Sequence, residues 1–527
     1  MNRQIGVEDP LGNTTTYRYN AVNNVTATID ALGRTTTYQY DDRNRLVTVI
    51  NPLKDTVTTT YDAVGNVIAV TDELGRKTEY VYDARNLQTA VKDNLGNTTT
   101  TSYDSVGNVV EVTDSLGNTT SYSYDSLYRQ TEITDAEGGT TKFTYDKVGN
   151  LLTLTDAENN TTTYIYDSLY RLLTETNQLG ATRSYKYDKV GNQIEITDRN
   201  NRVRRFTYDN LNRNTQEVWV GENGRTITYS YDAASQLISV RDPDSSYRYN
   251  YDLASRLIRV DNKRTPNIPR VVLNYRYDAV GNMVRVRDSL GGRESFSYDN
   301  LNRVVQITQT GTGVLDKRVD LSYNAASQMT RIVRYGENEL GIGSIYEYDG
   351  VGRLIKLTHS RNSVILANYS WIYDNAHRIT RFISPDGISN YTYDDLGQLL
   401  EGDHDYQEDE TYSYDDNGNI TNTGYVTGAN NRLASDGVYN YTYDKEGNRI
   451  QRTAIATGEV TSYEWDFRNR LTKVVTLDSD GNIVKRVAYA YDAFDRRISK
   501  SLNGAISEVF VYDGDHIALV GAVGVRG

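Results

Sequence analysis

The chain has 527 residues, of which 38% are hydrophobic, and its formal net charge of −13 argues against a phosphate-binding surface as its main task. It contains no cysteine, which excludes disulfides, thiolate metal sites and cysteine nucleophiles. Because of this negative charge, we expect no nucleic-acid partner. No stretch approaches the roughly 18 consecutive apolar residues of a membrane-spanning helix, so we expect no membrane span.

The N-terminal stretch MNRQIGVEDP lacks the apolar core of a signal peptide. It also starts partway through the repeat described next. We therefore expect the chain to be a fragment or trimmed form of a longer protein, whose location the missing signal does not decide.

Tyrosine is the unusual residue of this composition, with 45 copies against 7 phenylalanines and 3 tryptophans. Its ring is apolar and its hydroxyl is polar, so this preference predicts half-buried aromatic surfaces rather than a dry core. A tyrosine recurs every 21 residues at Tyr19, Tyr40, Tyr61, Tyr82, Tyr103, Tyr124, Tyr145, Tyr166, Tyr187 and Tyr208. Beyond Tyr208 the tyrosine still recurs, but at irregular intervals.

This spacing predicts three spans. Residues 1–209 are regular 21-residue repeats, and residues 210–513 are irregular repeats with loop insertions in the same continuous array. Two insertions, Asn262–Arg270 and Gly336–Ser344, are expected to be loops. Residues 514–527 are an apolar, glycine-rich tail, for which an unpaired edge strand is one interpretation.

Each unit reads as two strands and two turns. The first strand, such as TTTYQY at Thr35–Tyr40, is rich in Thr and Tyr, and places Tyr38 and Tyr40 on one face. The turn DAVGN at Asp62–Asn66 follows the equivalent strand, with Asp accepting backbone N–H groups and Gly allowing positive φ. Because Asn, Ser or Tyr replaces this Gly elsewhere, we expect that not every turn requires left-handed geometry.

The second strand, such as VIAVTD at Val67–Asp72, alternates apolar residues with small or charged ones, and Ile68 and Val70 share a face. Short connections make consecutive strands antiparallel neighbours. The expected fold is therefore all-β: a long antiparallel meander of about 46 strands built from repeated two-strand units. Since so long a sheet cannot stay flat, we expect it to spiral into a hollow shell or tubular solenoid.

The candidate functional positions are those of the repeat itself, with a structural role, and we identify no catalytic, cofactor-binding or metal-binding residue. The positions are Tyr40, Asp41, Tyr61, Asp62, Gly65, Asn66, Tyr82, Asp83, Tyr103, Asp104, Gly107, Asn108, Tyr145, Asp146, Gly149, Asn150, Tyr187, Asp188, Gly191 and Asn192.

Four kinds of chemistry compete with this structural interpretation. Paired aspartates could hydrolyse glycosides, but a catalytic pair should be singular and these aspartates recur at every turn entry. The acidic stretch GDHDYQEDE at Gly402–Glu410 is the best calcium candidate, although a solvated loop is the favoured interpretation. Four scattered histidines show no zinc spacing. Exposed tyrosines could stack on sugar rings, although stacking between neighbouring units is favoured.

The recurring pattern Tyr-x-Tyr-Asp-x-x-Gly-Asn followed by Thr-Asp-x-x-Gly-Asn resembles the YD-repeat or RHS (rearrangement-hotspot) family. It is represented by YSYDSLYRQTEITDAEGG at Tyr122–Gly139 and YTYDKEGNRI at Tyr441–Ile450, and covers about residues 9–513. The family includes bacterial polymorphic toxins, shells of insecticidal toxin complexes, and teneurins. The resemblance implies a β-shell or cocoon formed by one spiralling antiparallel sheet.

The resemblance also implies a function for the parent protein, secreted or at the cell surface. In bacterial members the shell encloses a C-terminal toxin or effector, and a closing segment often cleaves itself. We recognise neither segment in this chain, so we expect a non-enzymatic shell whose cargo belongs to the parent protein. The alternative is a cell-surface adhesion or carbohydrate-binding array with glycan partners.

Overall fold

The structure, a computed structural model, describes residues 3–221, 224–263, 265–336 and 339–522. Within these ranges the regular secondary structure is entirely β, with 48 strands and no helix. No helix long and apolar enough to cross a membrane occurs in this part of the chain. The all-β prediction is therefore confirmed, and the expected number of strands is close to that observed.

The first twenty-seven strands are short, and most have five or six residues. They are β1 (Gly6–Glu8), β2 (Thr14–Tyr19), β3 (Val25–Ile29), β4 (Thr35–Tyr40), β5 (Leu46–Ile50), β6 (Thr56–Tyr61), β7 (Val67–Thr71), β8 (Lys77–Tyr82), β9 (Gln88–Lys92), β10 (Thr98–Tyr103), β11 (Val109–Thr113), β12 (Thr119–Tyr124), β13 (Gln130–Thr134), β14 (Thr140–Tyr145), β15 (Leu151–Thr155), β16 (Thr161–Tyr166), β17 (Leu172–Thr176), β18 (Thr182–Tyr187), β19 (Gln193–Thr197), β20 (Val203–Tyr208), β21 (Asn214–Val220), β22 (Thr226–Tyr231), β23 (Leu237–Arg241), β24 (Ser246–Tyr251), β25 (Leu257–Asp261), β26 (Val272–Tyr277) and β27 (Met283–Arg287).

The remaining strands vary more in length. They are β28 (Gly292–Tyr298), β29 (Val304–Gly311), β30 (Val314–Tyr323), β31 (Met329–Gly336), β32 (Glu339–Tyr348), β33 (Leu354–Arg361), β34 (Val364–Tyr373), β35 (Ile379–Ile383), β36 (Ile388–Tyr393), β37 (Leu399–His404), β38 (Glu410–Thr411), β39 (Tyr425–Gly428), β40 (Arg432–Asp436), β41 (Tyr439–Tyr443), β42 (Arg449–Ala454), β43 (Val460–Trp465), β44 (Leu471–Leu477), β45 (Ile483–Tyr491), β46 (Arg497–Leu502), β47 (Ala505–Asp513) and β48 (His516–Ala522).

Consecutive strands pair with each other in antiparallel register, as in β5–β6 and β6–β7. Strands β1–β38 belong to one sheet and β39–β48 to a second. This meander follows from the five-residue turns, which are too short for a parallel crossover. The antiparallel meander predicted from the repeat is confirmed.

A β-bulge recurs where tyrosine-ended strands pair with their successors, as in β4–β5, β6–β7 and β8–β9, a feature that the period-two interpretation missed. In β6–β7, Tyr61 pairs with Val67 and Thr60 pairs with Ala69, so Ile68 is the extra residue. Strict alternation therefore fails at the start of β7. A bulge increases local strand twist and re-aims side chains, so its repetition favours a twisted sheet.

Two further expectations are corrected. The insertion at Gly336–Ser344 was expected to be a loop, but its described residues extend the β31–β32 hairpin; Glu337 and Asn338 lie outside the described residues. The Asn262–Arg270 insertion does connect two strands, with Arg264 outside the described part. In the tail, β48 pairs with β47, so it is not an unpaired strand; residues 523–527 lie outside the description.

The chain divides into two compact units, each built from three segments. Unit 1 comprises Met1–Tyr122, Tyr251–Ile258 and Asn274–Thr411, and unit 2 comprises Ser123–Asn250, Arg259–Leu273 and Tyr412–Gly527. The buried apolar residues of unit 1 are few: Ala27, Ala69, Tyr275, Val286 and Val333. Those of unit 2 are more numerous and larger: Trp219, Ile227, Val240, Tyr247, Val260, Val271, Leu273, Val487, Ala493, Ile498, Val509, Phe510 and Val511.

Candidate functional site

The aspartate after each repeat tyrosine organises the turn that follows it. Asp62 Oδ1 accepts the backbone N–H groups of Val64, Gly65 and Asn66 at 2.9, 2.7 and 2.9 Å. Its Oδ2 accepts Asn66 Nδ2 at 2.9 Å. Desolvation opposes ionisation of Asp62, but these hydrogen bonds outweigh it and lower the pKa of the carboxyl. Both oxygens of this carboxylate therefore accept hydrogen bonds from its own turn.

The other positions singled out in the repeat have the same arrangement. Side-chain amides of the Gly-Asn turns donate to the turn aspartates at 2.7–2.8 Å, in the pairs Asn108–Asp104, Asn150–Asp146 and Asn192–Asp188. The remaining two aspartates accept backbone N–H groups of their turns: Asp41 from Arg43 and Arg45, and Asp83 from Arg85 and Leu87. The structure thus places the predicted residues in separate turns, and does not gather them into one pocket.

The fourth residue of these turns adopts positive φ even where it is not glycine, which corrects the expectation of relaxed geometry. Gly65 has a φ of 111°, whereas Tyr128, Tyr170, Ser235 and His377 have φ values of 62°, 64°, 63° and 67°. The left-handed conformation strains a residue with a Cβ atom. The turn therefore keeps the same conformation with glycine, tyrosine, serine or histidine at this position.

The repeat tyrosine closes the rim of the preceding hairpin. Tyr61, at the end of β6, donates its hydroxyl to the Leu46 carbonyl at the start of β5, at 3.0 Å. The β5–β6 register stops at Thr48 and Thr58, so this carbonyl lies beyond the paired residues. The same bond across 15 residues, at 2.7–3.0 Å, joins Tyr40 to Val25, Tyr82 to Val67, Tyr103 to Gln88, Tyr145 to Gln130 and Tyr187 to Leu172.

Arginine at the fifth turn position links one turn to the next, a role that the sequence reasoning missed. Arg45 Nε donates to Asp41 Oδ2 at 2.7 Å, and its Nη1 donates to the Asp62 carbonyl at 2.9 Å. Its guanidinium also lies 4.6 Å from the centroid of the Tyr61 ring. The regular exchange of Asn and Arg at this position was the available sequence signal. Equivalent links start from Arg129, Arg171, Arg213, Arg256, Arg303, Arg353, Arg378 and Arg470.

Unit 2 contains a buried ionic cluster that the sequence reasoning also missed. Trp219, only 2% exposed, stacks on Phe467 with ring centroids 5.4 Å apart and donates its indole N–H to Glu217 at 2.8 Å. Arg468 bridges Glu217 and Asp495, with Nε 3.2 Å from Glu217 Oε1 and Nη1 2.8 Å from Asp495 Oδ1. Burial opposes ionisation of Glu217, but Arg468 outweighs it and lowers the pKa of the carboxyl. We call Glu217, Trp219, Phe467 and Arg468 the buried lock; Asp495, whose side chain is 52% exposed, lies at its edge.

A second buried contact in unit 2 joins Tyr247 to Asp492. The Tyr247 hydroxyl donates to Asp492 Oδ2 at 3.0 Å, and Arg496 Nε donates to the same oxygen at 2.7 Å. Burial and the neighbouring carboxylate raise the pKa of Tyr247. Asp492 is fully buried, and its Oδ1 accepts the backbone N–H groups of Phe494 and Arg496 at 2.9 Å each, so this carboxylate has a full set of donors.

Two serine–histidine pairs occur in unit 1, although the sequence indicated no such nucleophile. Ser389 Oγ lies 2.7 Å from His404 Nδ1 and 3.0 Å from the Tyr406 hydroxyl, and Ser344 Oγ lies 2.9 Å from His359 Nδ1. Both serines have no exposed surface. A nucleophile must reach its substrate, so these pairs stabilise packing in the conformation observed.

The acidic stretch Gly402–Glu410 does not assemble a cation site. Asp409 Oδ1 accepts the backbone N–H of His404 at 2.9 Å, and Asp405 Oδ1 accepts that of Ile388 at 2.8 Å. Across the described residues, no group of three or more His, Asp or Glu side chains is placed to hold a metal ion. Asp405 and Asp409 therefore hold the backbone of this region.

Two family models match the sequence. The model described as RHS Repeat matches residues 2–35, 19–56, 61–98, 103–140, 145–182, 187–218, 214–246 and 277–314, and that described as Teneurin YD-shell matches residues 368–517. The first covers more than half of the chain. No curated protein matches the sequence at a significant level.

Solved structures of Tc toxin complexes are similar in fold. The crystal structure of TcdB2-TccC3-TEV aligns with a TM-score of 0.55 and 14% identity over 97% of this chain and 31% of the other. The crystal structure of TcdB2-TccC3-Cdc42 gives 0.52 and 13%, over 95% of this chain and 39% of the other. The Photorhabdus luminescens Tc holotoxin pore with the mutation TccC3-D651A gives 0.51 and 13%, over 94% and 40%. This chain therefore spans two fifths or less of those chains.

Proposed function

Since the chain belongs to the RHS-repeat family, we propose that it is a non-catalytic structural shell that encloses or carries a C-terminal toxin or effector cargo. The cargo, and a secreted or cell-surface location, belong to the parent protein. We further propose that residues 1–209 and 210–513 are the regular and decorated parts of one continuous array.

This proposal rests on the hydrogen bonds that the repeat residues form within and between neighbouring hairpins. The Asp62 carboxylate is occupied by its own turn, the Tyr61 hydroxyl bonds to the preceding hairpin, and Arg45 bonds to the next turn. The chemistry repeated along the chain therefore joins neighbouring hairpins side by side, which is what a wall requires. The fold likeness to Tc toxin complexes supports the same function.

Exposed aromatic residues at turn tips favour the second candidate, a cell-surface adhesion or carbohydrate-binding array. Tyr128 and Tyr170 are each 60% exposed, beside Leu127 and Leu169, which are 60% and 63% exposed. A flat ring held at a protruding tip can stack on a sugar, and repetition makes such binding multivalent. Loss of glycan-array binding in a Tyr128→Ser/Tyr170→Ser variant would support this candidate.

Enclosure is tested with a reporter joined through a protease site after Gly527. We expect small-angle scattering of the chain alone to give a hollow body, and the joined reporter to resist a protease that cleaves the same free reporter. A control adds the free reporter to the chain in trans, where it should be cleaved. A solid rod or open ribbon, together with unprotected reporter, would contradict the shell function.

A further inference from the structure

Four arginines share one face of three consecutive strands in unit 1. Arg276 on β26 is the direct cross-strand partner of Arg285 on β27, and Arg287 on β27 is the direct partner of Arg293 on β28. Arg285 and Arg287 lie two residues apart and so share a face. We call these four residues the arginine face; Arg276, Arg287 and Arg293 are exposed and Arg285 is half-buried.

Equivalent positions elsewhere in the chain hold opposite charges. The residue between the two aromatics of a strand pairs with the third residue of the next strand, as Arg276 pairs with Arg285. In three other units these cross-strand pairs are Lys186–Glu195, Glu347–Lys356 and Glu464–Lys473, with ion-pair distances of 2.6, 2.9 and 2.7 Å. Directly opposed like charges destabilise a sheet, so the repeat fold alone gives no reason for two arginine pairs.

No carboxylate in the described residues forms an ion pair or hydrogen bond with the arginine face. Glu294 pairs with Val286, which places it on the other face of the strand. Asp288 follows Arg287 in the chain, and its Oδ1 accepts the N–H groups of Leu290 and Gly292. The four guanidiniums therefore keep their donors available.

The surface is concave at this point. Arg276, Arg285 and Arg287 line an open depression of about 720 Å³ together with Asn274 and the turn around Asp288. Burial and the three neighbouring guanidiniums lower the pKa of Arg285, which is the effect of concentrated positive charge. An anion entering this depression would relieve that repulsion.

We propose that the arginine face is a binding site for a ligand that presents two adjacent phosphate groups. Guanidinium forks match the oxygens of a phosphate and bind them by paired, charge-assisted hydrogen bonds. A phosphate monoester carries about −1.5 to −2 near neutral pH, so two of them balance four guanidiniums. Two arginine pairs, roughly 7 Å apart along the strand, provide one fork pair for each group.

The small extent of the site argues for a compact ligand. Nucleic-acid binding commonly uses about 6–10 phosphate contacts, and this face offers four cations on a chain with a net charge of −13. A sulfate ester carries a single charge, so two of them would leave the face undercompensated. The site is independent of any enclosed cargo.

The test is calorimetric titration of the full chain with pyrophosphate at low ionic strength, where such contacts are least screened. We expect the Arg285→Gln variant to bind roughly tenfold more weakly, and Arg276→Gln/Arg287→Gln to lose binding. The matched control is Lys186→Gln, an equivalent register position that is paired with Glu195, and it should bind pyrophosphate as the wild type does. Without ligand, Arg285→Gln should unfold at a higher temperature because repulsion is removed.

Other outcomes would overturn the proposal. Equal pyrophosphate affinity in wild type and Arg285→Gln would show that the face is not the site. Absence of binding by the wild type at about 1 mM pyrophosphate would remove the site altogether. A doubly sulfated disaccharide that binds as tightly would contradict the phosphate assignment, and tighter binding of single-stranded DNA would contradict the compact ligand.

Discussion

Residues 3–209 and the buried core of unit 2 use the same two-strand unit but are stabilised differently. In residues 3–209, the buried apolar residues are two alanines, Ala27 and Ala69. In unit 2, Trp219, Ile227 and Ile498 are at most 2% exposed. The regular stretch therefore depends on many similar hydrogen bonds between hairpins, whereas the core depends on a few large and rare residues.

This difference shows that the residues that repeat along the chain are not the residues that form the buried core of unit 2. Removing one link such as Tyr61–Leu46 leaves its equivalents in place, because tyrosines such as Tyr40 and Tyr82 bond within their own hairpins. Removing one member of the buried lock leaves an uncompensated charge or a cavity, since the core has no second copy. Substitutions in the two regions should therefore differ in magnitude and in how far their effects extend.

The largest expected effect is from Arg468→Met in the buried lock. This change leaves Glu217, 3% exposed, without its main cation and should destabilise unit 2 by about 3–5 kcal/mol. Urea unfolding, with hydrogen exchange of β21–β24 as the local readout, measures it. The double variant Arg468→Met/Glu217→Met is the control and should recover much of the loss, because the Glu217 carboxylate is no longer buried without its cation. If the double variant were as unstable as the single one, packing rather than charge would govern the lock.

Acid should reduce the stability that the buried lock contributes, because the Glu217 carboxylate becomes protonated. Its pKa is lowered in the folded chain, and an unperturbed Glu titrates at about 4.3. A depressed carboxyl contributes stability that is fully present above the unfolded pKa and is lost as the pH falls through its folded pKa. The stability gap between wild type and Glu217→Gln should thus be largest near neutral pH and shrink below about pH 4.3. Urea midpoints across this range measure the gap, and a gap that does not change with pH would contradict the assignment.

The sequence was sufficient for the repeated features and insufficient for the singular ones. Tyrosine spacing and short turns predicted an antiparallel meander, because each rests on local chemistry between residues such as Asp62 and Asn66. The bulge at Ile68 was not predicted, since a slip in pairing leaves no mark on apolar periodicity. The contact between Glu217 and Arg468 joins residues 251 positions apart, and no local pattern encodes such a pairing.

A smaller and strictly local effect is expected for Tyr61→Phe in the regular stretch. Loss of the bond to the Leu46 carbonyl should cost about 1 kcal/mol and speed amide exchange in the β5–β6 hairpin. Tyr38→Phe is the matched control, because the Tyr38 hydroxyl has no hydrogen-bond partner among the described residues. It should leave exchange unchanged. A global loss of stability from Tyr61→Phe would show that the regular stretch is as cooperative as the core.

The smallest effect on stability is expected at the turn tips. Its sign should depend on whether the substitution removes a Cβ atom from a residue with positive φ or adds one. Tyr128 has a φ of 62°, so Tyr128→Gly relieves left-handed strain while increasing the entropy of the unfolded chain, and should stabilise by a few tenths of a kcal/mol, up to about 1. Gly65→Ala is the opposite change at an equivalent turn; its added Cβ meets nothing within 4 Å, so only the backbone is strained. It should destabilise by about 1 kcal/mol. Thermal midpoints of the two variants measure this contrast. Opposite shifts would show that turn geometry is imposed by the hairpin framework, whereas a neutral Gly65→Ala would show that the turn follows its residues.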